Sequence, residues 1–111
     1  MTYDNENIFA KILRAEIPCE KVFENKTILS FKDINPKAKI HVLIIPKMPF
    51  VDILDFLENG DSSYQASFWF SVNEVISHLN LNNKGFQIKS HRGKDGGQEV
   101  FHFHLHLISD S

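Results

Sequence analysis

With 111 residues, the chain has room for one domain around a modest core. A net charge of −2, from 12 basic and 14 acidic residues, gives no broad positive surface for nucleic acid or an anionic membrane. Its single cysteine, Cys19, excludes an intrachain disulfide and a cysteine-built metal cluster. The polar, acidic start Met1–Asn7 is unlike a targeting peptide. No apolar run approaches the ~20 residues of a membrane span, so a reducing, cytoplasmic setting with no membrane partner is expected.

No repeat, low-complexity tract or linker interrupts the sequence, and residues 1–111 read as one domain. Ile8, Phe9, Ile12 and Leu13 follow helical spacing, with Asn5 or Asn7 as N-cap and Pro18 closing the segment. Extended runs at Lys21–Glu24 and Thr27–Phe31 flank a hairpin turn at Asn25-Lys26. After the Asp33–Pro36 turn, the aliphatic run Ile40–Ile45 suits a central strand buried on both faces. A short apolar helix over Phe50–Leu57 ends at Gly60. In Ser62–Leu79, Phe68, Val72, Val75, Ile76 and Leu79 share one helical face, with Asp61 or Ser62 as cap. Strands Phe86–Ser90 and Val100–Ile108 follow, separated by the loop Gly93–Gln98. The order predicts an α+β fold, with one long helix and one or two short ones on a five-stranded antiparallel sheet.

Chemistry concentrates in the last strand. His102, His104 and His106 alternate with Phe103, Leu105 and Leu107, so the imidazoles share one face while the apolar residues enter a core. At ~3.3 Å per residue, His102 and His106 stand about 13 Å apart, and a nucleotide could pass all three rings. A plain solvent-facing stripe would use Lys, Glu, Thr and Ser instead. A zinc site is the sharper rival, because His-x-His on a strand is a common ligand pair, and His41 or His91 could complete it. A neutral imidazole near pH 7 can instead attack phosphorus covalently, its neighbours binding oxygens and protonating the leaving group. The loop Gly93-Lys94-Asp95-Gly96-Gly97-Gln98 lacks the ending of a P-loop, yet its glycines can bring N–H groups near an anion. His78 reads as a surface residue. His41 is either a hydrogen-bonded core histidine or a residue that orients a catalytic ring.

The run His102-Phe103-His104-Leu105-His106-Leu107-Ile108 resembles the motif of the histidine-triad (HIT) family. Ile8-Phe9-x-Lys11-Ile12, Ile17-Pro18, Phe23-Glu24, Phe31-x-Asp33-Ile34-Asn35-Pro36, Ala38, His41-x-Leu43-x-Ile45-Pro46-Lys47 and Gly96-Gly97-Gln98 are similar to its purine-nucleoside phosphoramidase branch. The resemblance implies His104 as nucleophile, with His102 and His106 on phosphate or the leaving group, and His41 hydrogen-bonded within the triad. It implies an apolar purine slot of Ile8, Phe9, Ile12, Phe31 and Leu43, with Asp33 on the ribose. Ile34, His91, Gly97, Gln98, Glu99 and Val100 complete the implied nucleotide-binding set. It also implies AMP as a ligand, no cofactor or metal, and a homodimer whose sheet runs on into the second copy. The adjacent Phe68, Trp69 and Phe70 cannot all face one core, which agrees with a second buried surface.

Three departures bear on the leaving-group side. His91 stands where that branch carries Asn, Glu99 where it has a small polar residue, and the chain ends at Ser111 without the branch's longer tail. The expected activity is hydrolysis of nucleoside 5′-phosphoramidates or related nucleoside phosphates through a nucleotidyl-histidine. The alternatives are a nucleotide-binding or scaffolding protein with little turnover, a histidine-bound zinc hydrolase, and a dinucleoside polyphosphate hydrolase.

Overall fold

The computed structural model describes Met1–Ser111. In chain order it contains α1 (Ile8–Leu13), β1 (Lys21–Glu24), β2 (Ile28–Lys32), β3 (Ile40–Pro46), α2 (Ile53–Asn59), α3 (Ser62–His78), β4 (Gln87–Lys89) and β5 (Leu105–Ser109). The five strands form one antiparallel sheet in the order β1-β2-β3-β5-β4, so the aliphatic run at Ile40 is indeed central. The α+β architecture expected from the sequence is the one observed.

Side chains cap the starts of the three α-helices, and backbone groups close the ends of α1 and α3. Asn7, Asp52 and Asp61 accept backbone N–H bonds at the starts of α1, α2 and α3. Asn25 closes the β1–β2 hairpin by accepting from the N–H groups of Thr27 and Ile28. Both α1 and α3 end in Schellman motifs. After α1, Ala15 N–H bonds Ile12 O and Glu16 N–H bonds Lys11 O; after α3, Asn80 N–H bonds Ser77 O and Leu81 N–H bonds Ile76 O. Asn80 and Ala15 are left-handed at φ 59° and 61°, a conformation asparagine tolerates better than alanine.

The sheet separates two cores. In the β3–β5 register Val42 faces Leu107 and Ile44 faces Leu105, and these join Phe103 and Ile28 against Phe56 of α2 and Phe68, Val72 and Val75 of α3. On the opposite face Leu43 and Ile45 join Leu29, Phe31 and Phe9 of α1 in a smaller cluster. Leu43 stands opposite His106, and His41 opposite Ile108, so the histidines share the α1 face.

The final strand is shorter than its residue pattern suggests. It begins at Leu105 rather than Val100, because β3 stops offering a ladder at Pro46, beyond its last pair, Ile44 with Leu105. Phe103 N–H turns aside to Phe50 O at 2.7 Å, and Ser90 Oγ takes the His104 carbonyl. Alternation survives this departure: Phe103 is fully buried beside Phe56 and Phe68, at ring centroid distances of 4.8 and 5.3 Å.

Replacing Ala15 by Gly removes the Cβ penalty at φ 61°, and the variant should gain up to about 1 kcal/mol of stability. Urea unfolding at fixed m-value measures it; an unchanged or lower midpoint would contradict the strain assigned to this position.

Candidate active site

Hydrogen-bond partners fix where each imidazole proton sits. The ring of His102 is fully buried, with Nε2 2.9 Å from the Pro46 carbonyl and Nδ1 2.6 Å from the Tyr3 hydroxyl. A carbonyl only accepts, so His102 donates from Nε2 and Nδ1 accepts the Tyr3 O–H. His104 Nδ1 lies 2.7 Å from the His102 carbonyl and must donate there, which leaves its Nε2 an unprotonated lone pair. Every fully buried side-chain nitrogen or oxygen has a partner. Nε2 of His104 has none, so this lone pair reaches solvent.

The same logic runs through His41. Lys37 N–H donates to His41 Nδ1 at 3.0 Å, placing the His41 proton on Nε2, 2.9 Å from His106 Nδ1. His106 then carries its proton on Nε2. Its ring centre lies 5.2 Å from those of His41 and His104, and 5.3 Å from that of His91. Asp33 Oδ2 stands 3.4 Å from His41 Nε2 and 4.0 Å from His106 Nδ1, while Oδ1 caps its own turn by accepting from Asn35 N–H. The site therefore sets an unprotonated ring nitrogen beside a protonated one, with a carboxylate behind.

Burial holds these rings neutral. It pushes His102 down to about 4, and His106 likewise to about 4 with help from the neighbouring imidazoles. His104 is also lowered by burial, against opposing pulls from the His102 carbonyl, Asp33 and Glu99.

Phe9, Phe31 and Leu43 meet in the smaller core, with Ile12 and Val100 packed against it, and the Phe9 ring stands edge-on to His104 at 5.0 Å. Ile8 is exposed at the margin. Ile34 is 90% exposed and outside this cluster. The amide of Gln98 is buried and spent on protein groups, accepting from Gly93 N–H and donating to the carbonyls of Val100 and of Val51, which lies just before α2. Likewise, His102 has no nitrogen left for a phosphate; it acts through its backbone carbonyl. Gly97, at φ 91°, packs so close to His91 that an added Cβ would stand 3.0 Å from Nδ1, and His91 donates Nδ1–H to the Gly96 carbonyl. Glu99 is exposed and, with Met1, Lys94, Gly97 and Phe101, borders an open depression of about 700 Å³.

Asp33, His41 and His106 bring three potential metal ligands together. Their separations of 2.9, 3.4 and 4.0 Å bracket the ~3.4 Å edge of a tetrahedron with ~2.1 Å bonds. Protonation opposes the fit. A histidine bound to metal through Nε2 donates Nδ1–H to an acceptor, whereas His41 Nδ1 faces the Lys37 N–H. The cluster is organised to share protons. Tyr3, Lys37 and Ser90, which hold the histidines through a hydroxyl, an N–H and a hydroxyl, carried no signal in the sequence, and Pro46, whose carbonyl holds His102, was legible only as part of a matched run. Tyr3 lies 99 residues from its partner.

Residues 14–111 match the HIT domain family. The chain is 44% identical over 97% of its length to an uncharacterised HIT-like protein of Azospirillum brasilense, covering 88% of that protein. A HIT family hydrolase from Legionella pneumophila superposes with a TM-score of 0.84 at 38% identity, over 94% of this chain and 92% of that one. A histidine triad nucleotide-binding protein from Candida albicans gives 0.80 at 33% identity, over 92% and 73%.

The lowered histidines tie stability to pH. Between about 4 and 6.5 the unfolded chain binds protons that folded His102 and His106 refuse, so stability rises with pH through that window. Their contribution is complete above 6.5 and lost as pH falls toward 4. Urea midpoints should drop between about pH 7 and 5, corresponding to uptake of about two protons on unfolding. A midpoint flat across this interval would refute neutral burial.

Proposed function

From the premise that the chain belongs to the HIT domain family, we propose that it is a nucleotide-binding hydrolase of nucleoside 5′-phosphoramidates, or related adenylates, with His104 as nucleophile. One observation carries this reading: the Nδ1–H bond to the His102 carbonyl leaves His104 Nε2 as an open lone pair at the edge of an apolar cluster.

In the first step Nε2 bonds to the α-phosphorus and the P–N bond breaks, the amine leaving with a proton taken from solvent at the His106 side of the site. Water then attacks the nucleotidyl-histidine and returns a proton to solvent there, the P–Nε2 bond breaks, and a nucleoside monophosphate such as AMP is released. The purine would enter beside Ile8, Phe9, Ile12, Phe31 and Leu43, with Asp33 accepting the ribose hydroxyls. The carboxylate of Glu99 favours amine leaving groups over polyphosphates, because it would repel a chain of further phosphates. It also supports the second reading, a nucleotide-binding protein with little turnover, since the same charge opposes an approaching phosphoryl group.

The homodimer belongs to this proposal. Phe70 is 72% exposed on α3, and Trp69, Leu57 and Ile88 are exposed as well. Ile88 lies opposite Leu107 on the face that carries α2 and α3, at the free edge strand β4. A second copy related by a two-fold axis can cover this surface and extend the sheet.

Incubation with an adenosine 5′-phosphoramidate should release AMP, and His104→Ala should lower kcat by at least ~10⁴-fold while retaining AMP binding. Hydrolysis by that variant would overturn the assignment; AMP binding without turnover in the unaltered protein would favour the second reading. The acid limb of kcat/KM should fall below the ordinary imidazole value, because burial holds His104 unprotonated; a limb above that value would contradict it. Sedimentation should show a dimer that Phe70→Glu converts to monomer, and a monomeric unaltered protein would exclude the proposed interface.

A further inference from the structure

Residues 102–104 carry the reactive group but lie outside the sheet ladder, which begins at Leu105. Their geometry depends on other anchors. Phe103 N–H reaches the Phe50 carbonyl, His102 Nε2–H reaches the Pro46 carbonyl, and the Tyr3 hydroxyl reaches His102 Nδ1 at 2.6 Å. The first two hold the segment from the β3 side, whereas Tyr3 approaches from the N-terminal segment before α1. Its ring packs edge-on to His102, with centroids 5.6 Å apart and planes at 68°. Tyr3 also precedes the residues matched to the family, 14–111.

We propose that Tyr3 is a positioning residue for the nucleophile, fixing the His102 ring so that the His102 carbonyl holds His104 with Nε2 unprotonated. This rests on reading His104 as the nucleophile. A buried imidazole with Nε2–H on Pro46 leaves Nδ1 in need of a donor, and the tyrosine hydroxyl supplies it. Without that hydroxyl neither tautomer of His102 is satisfied. A proton on Nε2 strands Nδ1, and a proton on Nδ1 turns the Nε2 lone pair against the Pro46 carbonyl. Relief requires the ring to turn about its side-chain torsions, which breaks the Nε2–H bond to the Pro46 carbonyl and so removes one of the anchors that hold the backbone of residues 102–104, the His102 carbonyl included. That carbonyl is the acceptor that sets the His104 tautomer.

The test is Tyr3→Phe in the full chain, read by ¹⁵N imidazole shifts and by kinetics with an adenosine phosphoramidate. In the unaltered protein, His104 should give the pattern of a proton on Nδ1 and a lone pair on Nε2. In Tyr3→Phe that pattern should become a mixture, with kcat lowered about 10- to 100-fold and AMP affinity unchanged. Loss of stability alone, with the His104 shifts and kcat intact, would overturn the proposal. Should Tyr3→Phe not fold, 3,5-difluorotyrosine placed at position 3 keeps the ring and the hydroxyl but ionises near neutral pH. The kcat profile should then lose activity as that phenol deprotonates; an unaltered profile would overturn the proposal. If His104 shifts respond as expected while no phosphoramidate is hydrolysed by any form, positioning stands and the hydrolase reading fails.

Discussion

The proton on His104 Nδ1 lies between that ring and the carbonyl of the residue two positions earlier, 2.7 Å away. A neutral imidazole has one proton, so engaging it on one nitrogen decides the character of the other. Were that carbonyl to turn away, the two tautomers of His104 would compete, and the solvent-facing nitrogen would spend part of its time as a donor with no lone pair to offer. Burial reinforces the arrangement by disfavouring the doubly protonated ring. The anchors around residues 102–104 converge on this single bond.

Two unequal cores make the arrangement possible. The larger one, under α2 and α3, takes Phe103, Leu105 and Leu107 and gives the chain most of its buried apolar surface. The smaller one, under α1, leaves room for polar chemistry between Phe9 and the central strand. Period-two alternation divides the same few residues between these tasks, and β3 mirrors the division with His41 and Leu43 on one face and Val42 and Ile44 on the other.

Alternation of this kind is visible in a sequence, as is the helical spacing of Phe68, Val72, Val75, Ile76 and Leu79, which is why the sheet, the long helix and the shared face of the histidines could be read from residue types alone. Asn7, Asp61 and Gly60 marked helix boundaries for the same local reason. The start of the last strand was not legible, because it depends on where the neighbouring strand ends, and Val100–His104 carry apolar alternation without a partner ladder. The division of labour among the histidines was hidden as well. His102 and His106 look equivalent as letters, but one faces a proline carbonyl and a distant tyrosine, and the other a histidine whose proton is set by Lys37 N–H. Gln98 was similarly ambiguous, since an amide that shapes a loop and an amide that meets a ligand are the same residue type.

Phe103 separates two of the triad's imidazoles along the chain, and its ring lies nearly parallel to that of Phe56, at 22°. The histidine-bearing segment is thereby bolted to the helical layer through a flat aromatic contact on the far side of the sheet. Drift in the seating of α2 would be passed mechanically to the neighbouring histidines, because a backbone cannot move one residue without moving its neighbours. Evolution can therefore retune this centre from a distance, through hydrophobic volume beneath it, while leaving every polar atom above unchanged.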